Sequence, residues 1–251
     1  MIREKIRHGK ILGKLAVVVV AASFAGCVQG GPERVDGAGT DSAILKVPQG
    51  AGPFPAIVYH HGSVVREKGY QGAVQRGYDV AALATAFAEA GYVTLAPIRE
   101  TAEGCCNGDE AVAEGLAVSR SAARTLRARP DVAKDRICLV GFSEGGMISL
   151  WTLAEMDDFA AALIMSPATM GRNRARTERY SVDGLMGGGL AKIREPFLLT
   201  VGTDDNRSIR RAVRRYVSRT GRRLRTLDGD HQSFQTPRSD IMAALSQICP
   251  K

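Results

Sequence analysis

The chain has 251 residues, 45% of them hydrophobic and 24% charged, and a formal net charge of +8. With no internal repeat, this length predicts one domain and leaves little room for two, and the apolar content is that of a globular protein with a sizeable core. The positive charge does not by itself imply a nucleic-acid partner, because half of it lies in the first 26 residues, where Arg3, Lys5, Arg7, Lys10 and Lys14 stand against Glu4.

Those basic residues precede Leu15 to Gly26, which is apolar or small throughout. A basic start and an apolar run too short to span a membrane predict export, with a signal peptide over 1–26. Phe24-Ala25-Gly26-Cys27 resembles the lipobox of bacterial lipoproteins, which implies lipid on Cys27 and a membrane-anchored protein of the bacterial envelope. Ser23-x-Ala25 also resembles an ordinary signal-peptidase site, which implies a periplasmic or secreted one. Residues 27–42, Gly-rich and polar to about 40, read as a tether, and the folded domain is expected over 43–251.

Within that domain Ala43 to Val47 predicts an early strand, Gly50 to Pro55 a turn, and Ala56 to Tyr59 a core strand running into His60-His61-Gly62-Ser63. Val80 to Ala90 predicts a helix closed by Gly91, and Tyr92 to Ala96 a strand stopped by Pro97. A loop over 100–108 precedes a long helix from about Asp109 to Arg129, acidic at its start and Arg-rich at its end as the helix dipole favours. Ile137-Cys138-Leu139-Val140 is a strand buried on both faces; Met147 to Trp151 reads as an amphipathic helix, and Ala160 to Met165 as the next strand. Residues 166–194, with four arginines between Arg172 and Arg179, read as a small cap excursion over the top of the sheet. Phe197 to Val201 is a strand ending at Gly202-Thr203-Asp204-Asp205; a helix, a strand near Arg223 to Leu227 and a final helix from about Pro237 to Ile248 follow.

In the penultimate helix Ile209, Ala212, Val213, Tyr216 and Val217 recur at helical spacing, opposite Arg210, Arg211, Arg214 and Arg215. That is a solvated helix face, and no aromatic residues interleave with the arginines as a nucleic-acid surface would need. Apolar strands alternating with helices specify an α/β fold, a mostly parallel sheet covered on both faces by helices. In such a sheet chemistry sits at the carboxyl ends of the strands, and His61, Ser143, Asp204, Asp205 and His231 all fall there.

Gly141-Phe142-Ser143-Glu144-Gly145 between strand and helix has the form of a nucleophile elbow. A serine in that strained turn needs small neighbours two residues to either side, and the Glu144 backbone N–H stands behind its hydroxyl as an oxyanion donor. The Glu144 side chain is expected as a favourable charge at a helix N-terminus. The serine needs a base. His8 leaves with the leader and His60 and His61 precede the elbow, which leaves His231 in Asp228-Gly229-Asp230-His231-Gln232. Asp204 and Asp205 both end the strand before it, and the order Ser, Asp, His is that of α/β-hydrolases; Asp228 and Asp230 read as turn formers.

Through His60-His61-Gly62-Ser63, residues 141–146 and the pair Gly202-Thr203-Asp204-Asp205 with Asp230-His231, the chain resembles the α/β-hydrolase superfamily over nearly all of 43–248. The dienelactone-hydrolase-like and prolyl-oligopeptidase-like branches are the most similar. The resemblance implies Asp205, three residues after Gly202, as the acid in preference to Asp204. It implies Ser63 N–H as the second oxyanion donor, with His61 shaping the turn. It implies a serine hydrolase that cleaves an acyl bond, a carboxylic ester first, in a small-molecule ester or amide substrate. No metal, no organic cofactor and no nucleic acid are implied; adjacent Cys105-Cys106 lack zinc-site spacing. The alternatives are a small serine peptidase of the prolyl-oligopeptidase-like kind and a non-catalytic envelope binding protein on a hydrolase scaffold. Export permits disulfides, but the pairing of Cys105, Cys106, Cys138 and Cys249 stays open, as does burial of Cys138 as a plain hydrophobe.

Overall fold

The computed structural model describes residues 32, 34–100, 108–169 and 179–251. The leader, Cys27, Cys105, Cys106 and the arginines from Arg172 to Arg176 lie outside the described residues. In chain order the elements are β1(Ser42–Lys46), β2(Phe54–His60), α1(Ser63–Val74), α2(Val80–Glu89), β3(Val93–Ile98), α3(Gly108–Ala128), β4(Val132–Phe142), α4(Glu144–Glu155) and β5(Ala161–Met165). After these come two single turns, α5(Val182–Gly184) and α6(Leu190–Lys192), then β6(Phe197–Gly202), α7(Arg207–Thr220), β7(Arg223–Leu227) and α8(Ser239–Ile248).

The strands form one sheet in the order β1-β3-β2-β4-β5-β6-β7. All neighbours are parallel except β1, which runs antiparallel to β3 at the edge. Alternation along β4 splits the core in two. Ile137 and Leu139 face a layer that includes Val112 and Leu116 of α3, Met147 and Leu150 of α4, and Val213 and Tyr216 of α7. Cys138, Val140 and Phe142 face the other layer, with Val65 of α1, Leu83 and Phe87 of α2, and Ile241 and Leu245 of α8. The chain steps one way along the sheet from β2 to β3 and returns across β2 to β4, so the order reverses between β2 and β4. That reversal is the position at which open α/β sheets bind ligands.

Four features differ from the sequence reading. β3 does not stop at Pro97. It continues to Ile98, because pairing with β2 ends at Leu95 and Pro97 faces only the antiparallel neighbour, opposite Ala43. The segment from Ser63 is a helix that apolar periodicity did not reveal; Gly69, at φ 70° and ψ 166°, kinks it into two shorter helical pieces. The expected tether is docked from about residue 35. Ala38 is fully buried, and Gly37 C=O accepts from Ser121 Oγ at 2.8 Å and Thr125 Oγ1 at 2.7 Å of α3. Gly39 lies so close that a Cβ there would stand 2.9 Å from Ser121 Cβ. Finally, the described part of the 166–194 excursion packs in the helix layer between α4 and α7, with Tyr180 edge-on to Trp151 at 5.2 Å.

Cys138 is bonded to Cys249, joining the middle of β4 to the end of α8. Among the described residues no helix is long and apolar enough to cross a membrane.

Candidate active site

Ser143 stands between β4 and α4 at φ 56° and ψ −116°, a conformation a non-glycine residue holds only when its surroundings over-determine it. Here they do. A Cβ on Gly141 would lie 2.3 Å from Gly145 C=O, and one on Gly145 would lie 2.0 Å from His60 C=O, so both glycines are required for the turn to close. Ser143 N–H donates to Met165 C=O at 3.0 Å, and its own C=O accepts from Ala168 N–H at 2.8 Å. The strained turn is thereby fixed to the end of β5.

His231 lies on the loop after β7, where Asp204 N–H donates to Gly229 C=O at 2.9 Å and ties that loop to the end of β6. Its Nε2 is 2.9 Å from Ser143 Oγ and its Nδ1 is 3.1 Å from Asp205 Oδ1. The imidazole rests on the Phe142 ring, with centroids 4.9 Å apart. Asp205 is buried and also accepts from Asn206 N–H at 2.6 Å. Burial pushes its carboxyl up, but His231 and the Ser166 hydroxyl, then the Asn206 N–H, outweigh that and hold it below the usual carboxylate range. Asp204 is exposed and, among the described residues, its side chain accepts from Thr203 Oγ1 alone, at 3.1 Å. Asp230 accepts from Ser233 N–H at 3.0 Å and Ser233 Oγ at 2.9 Å, the expected turn former.

Ser63 and Glu144 are the first residues of α1 and α4, so neither N–H has an acceptor within its own helix. The two helix starts adjoin: a Cβ on Gly62 would lie 3.3 Å from Ser143 Cβ. The turn before Ser63 is held from three sides. Gly62 N–H donates to Tyr78 OH at 3.1 Å, and His61 Nδ1 donates to Gly62 C=O at 2.9 Å. Arg99 Nη2 donates to His61 C=O at 2.9 Å. Since His61 Nε2 accepts from Arg99 N–H at 2.9 Å, its proton is on Nδ1 and the ring is neutral; burial and then the Arg99 charge hold its pKa well below the usual value. His60 is pushed down to about 3 by the same two causes, and its Nε2 lies 2.7 Å from Ser119 Oγ. Neither histidine is free to act as a base at neutral pH.

The Glu144 side chain is the expected charge at a helix N-terminus, and more than that. It is buried between two buried arginines: Arg66 Nε and Nη2 reach its oxygens at 3.0 and 2.9 Å, and Arg99 Nη1 at 3.2 Å. Burial pushes this carboxyl up, and the Arg99 and Arg66 charges more than reverse it, leaving the pKa lowered. Arg66 lies in the first turn of the helix that Ser63 opens, and Arg99 follows β3, so one carboxylate joins the elbow to the neighbouring turn. Sequence reasoning missed Arg66, Arg99, Tyr78 and Ser166. No spacing marks them, because each is brought in by a different part of the chain. Among the described residues no three His, Cys, Asp or Glu side chains form a group that could hold a metal ion.

No protein-family model matches the chain. A segment of 78 residues is 36% identical to a protein of Bacillus subtilis (strain 168) named uncharacterized peptidase YtmA; it covers 31% of this chain and only 30% of that protein's length. Among solved structures, the Pyrococcus furiosus esterase Pf2001 is similar with a TM-score of 0.59 at 14% identity, over 83% of this chain and 88% of that one. Est1E of Butyrivibrio proteoclasticus is similar with a TM-score of 0.60 at 17% identity, over 82% and 91%. The Pyrococcus horikoshii acylaminoacyl peptidase matches with a TM-score of 0.55 at 16% identity, over 77% of this chain and 36% of that one. The fold is therefore the α/β-hydrolase fold.

Proposed function

We propose that this chain is a serine hydrolase that cleaves a carboxylic ester through an acyl-enzyme on Ser143. The observation that carries the reading is the continuous line from Asp205 through His231 to Ser143, at 3.1 and 2.9 Å, at the point where the strand order reverses. As Ser143 Oγ attacks the carbonyl carbon, His231 Nε2 takes its proton, and Asp205 holds Nδ1–H and balances the imidazolium charge. The carbonyl oxygen, now negative, accepts from the N–H groups of Ser63 and Glu144. When the tetrahedral intermediate collapses, His231 returns the proton to the departing alkoxide. Water then enters with the same base and releases the acid, restoring Ser143.

A fluorophosphonate probe should label the wild-type chain at Ser143, and Ser143→Ala should remove both labelling and most ester hydrolysis. Residues that act in one step are not additive, so His231→Ala added to Ser143→Ala should cost little more. Full esterase activity in Ser143→Ala would end the proposal, and failure of the probe to label would favour a binding protein on this scaffold. A peptidase is the second reading, supported by the 78-residue likeness to a protein named as a peptidase. Paired ester and amide substrates with one acyl group separate the two: either enzyme acylates faster from the more reactive ester, so the ester reading requires that the amide is not turned over, and the peptidase reading that it is.

The leader and Cys27 support an exported protein held at a membrane by lipid on its new N-terminus. Mass spectrometry of the processed protein should find Cys27 first and carrying acyl mass. A mature form beginning elsewhere, or without acyl mass, removes the anchor.

A further inference from the structure

The outer face of α7 carries Arg207, Arg210, Arg211, Arg214, Arg215 and Arg219, and the helix contains no acidic residue. With Met186 of the neighbouring turn, these arginines line an open groove of about 690 Å³. Arg210 donates to Thr203 C=O at 2.7 Å, and Arg215 stands 3.7 Å from Asp183. Arg207, Arg211, Arg214 and Arg219 meet no carboxylate among the described residues.

A face that served solvation alone would not need charges of one sign. Solubility is met by interspersed acids and bases, whereas like charges at i,i+3 and i,i+4 repel and weaken a helix. Arg207 at the first helical position also opposes the helix dipole. Among the described residues only Asp183, beside Arg215, offsets this repulsion, and a surface of opposite charge would relieve the rest. We infer that this face of α7 docks on an anionic lipid surface.

Three observations choose lipid over nucleic acid. The aromatic residue of the helix, Tyr216, is buried in the core, so no ring is presented for bases to stack on. The uncharged lining of the groove is Met186 and Ser218, an apolar side chain and a small hydroxyl, neither of which offers a ring to a base. The N-terminal lead-in docks on α3, which lies in the same helix layer as α7, so an anchor at Cys27 would hold this layer towards the membrane. α7 also begins two residues after Asp205, and its Arg210 is bonded to the end of β6. Adsorption through α7 would therefore bring the rim that carries Ser143 and His231 towards the lipid–water boundary.

The test is co-sedimentation of the full chain and its R207Q/R211Q/R214Q/R219Q variant with two kinds of vesicle, phosphatidylcholine alone and phosphatidylcholine with phosphatidylglycerol. Glutamine keeps the helix propensity, and the basic leader is common to both proteins, so its contribution cancels. Thermal unfolding establishes that the variant folds; if it does not, the pair R211Q/R214Q is used. Each arginine at an anionic surface multiplies partitioning about fivefold, so the quadruple variant should bind the anionic vesicles at least about a hundredfold more weakly, and the pair at least about tenfold. The difference should vanish at 1 M salt, where the Debye length is about 3 Å. Equal binding of wild type and variant to anionic vesicles would overturn the inference. So would a wild-type–variant difference as large on neutral vesicles, or tighter binding of duplex DNA than of anionic vesicles at matched salt.

Discussion

Asp204 and Asp205 are adjacent and chemically identical, yet the fold gives them opposite surroundings. Asp204 keeps its charge in water, where an exposed carboxylate does little to a ring it does not touch. Asp205 has lost its water and replaced it with His231 Nδ1 and Asn206 N–H, so it can balance an imidazolium in a low-dielectric site. Asp205→Asn should lower kcat on the order of 10⁴-fold, because an amide can hold the wrong ring tautomer. Asp204→Asn should change it by no more than about twofold, as surface changes do. Steady-state kinetics on one ester decides this, and a larger loss in Asp204→Asn would reassign the acid. The position of Asp205 could be anticipated because it depends on short-range features, a strand end and a resemblance in loop length. The partners of Glu144 could not: Arg66 comes from the first turn of α1 and Arg99 from just beyond the end of β3, and a lone arginine carries no sign of what it will meet.

Among the elements, those governed by one local rule were legible. β4 and α4 are legible because the turn between them demands two glycines, Gly141 by a collision within the turn and Gly145 by the close approach of His60 C=O on β2. α1 did not, because Gly69 interrupts it and its residues show little apolar periodicity. In the proposed mechanism α1 nonetheless has a specific place, since it carries Ser63 at its start and Arg66 one turn on, and Arg66 is joined to the residue after Ser143, the proposed nucleophile. Arg66→Met should leave the fold intact, with Arg99 still paired to Glu144, but loosen the spacing of the two N–H donors. Because misplacement by about an ångström can cost on the order of 10²-fold, kcat should fall by at least about tenfold while KM changes little. A variant that loses thermal stability but keeps kcat would mean that the pair only supports the fold. Glu144→Gln is harsher: it removes the buried carboxylate that Arg66 and Arg99 share and should cost about 3–5 kcal/mol. The sign of the pH effect follows from the lowered Glu144 pKa. Its contribution to stability is complete above the ordinary value of 4.5 and is lost as pH falls through the lower folded value. Acid unfolding of wild type should therefore be steeper than that of Glu144→Gln, which has no such proton to take up; parallel curves would remove Glu144 from the account.

At the scale of the whole molecule, the parallel sheet and the gathering of site residues at the carboxyl ends of its strands follow from alternation of strand and helix. The links that close the molecule do not. The lead-in docked on α3 and the bond from Cys138 to Cys249 join residues far apart in sequence, and no local pattern encodes a partner. That bond spans 111 residues and fastens α8 to a central strand, where Tyr92 OH also donates to Cys249 C=O at 3.0 Å. A loop of this length restricts the unfolded chain strongly, and native disulfides typically contribute about 2–4 kcal/mol. For a domain of this size, refolding under reducing conditions should lower Tm by roughly 5–15 °C. Activity at ordinary temperature should survive, because the bond lies in the core layer of α8 below the strand end that carries Ser143, and none of the groups aligned with His231 depends on it. Cys138→Ala/Cys249→Ala should show the same loss of Tm and no further response to reductant. Equal Tm values for oxidised and reduced wild type would mean that the two thiols pack as ordinary hydrophobes. A parallel loss of Tm and of kcat in the folded protein would mean instead that α8 helps to position His231.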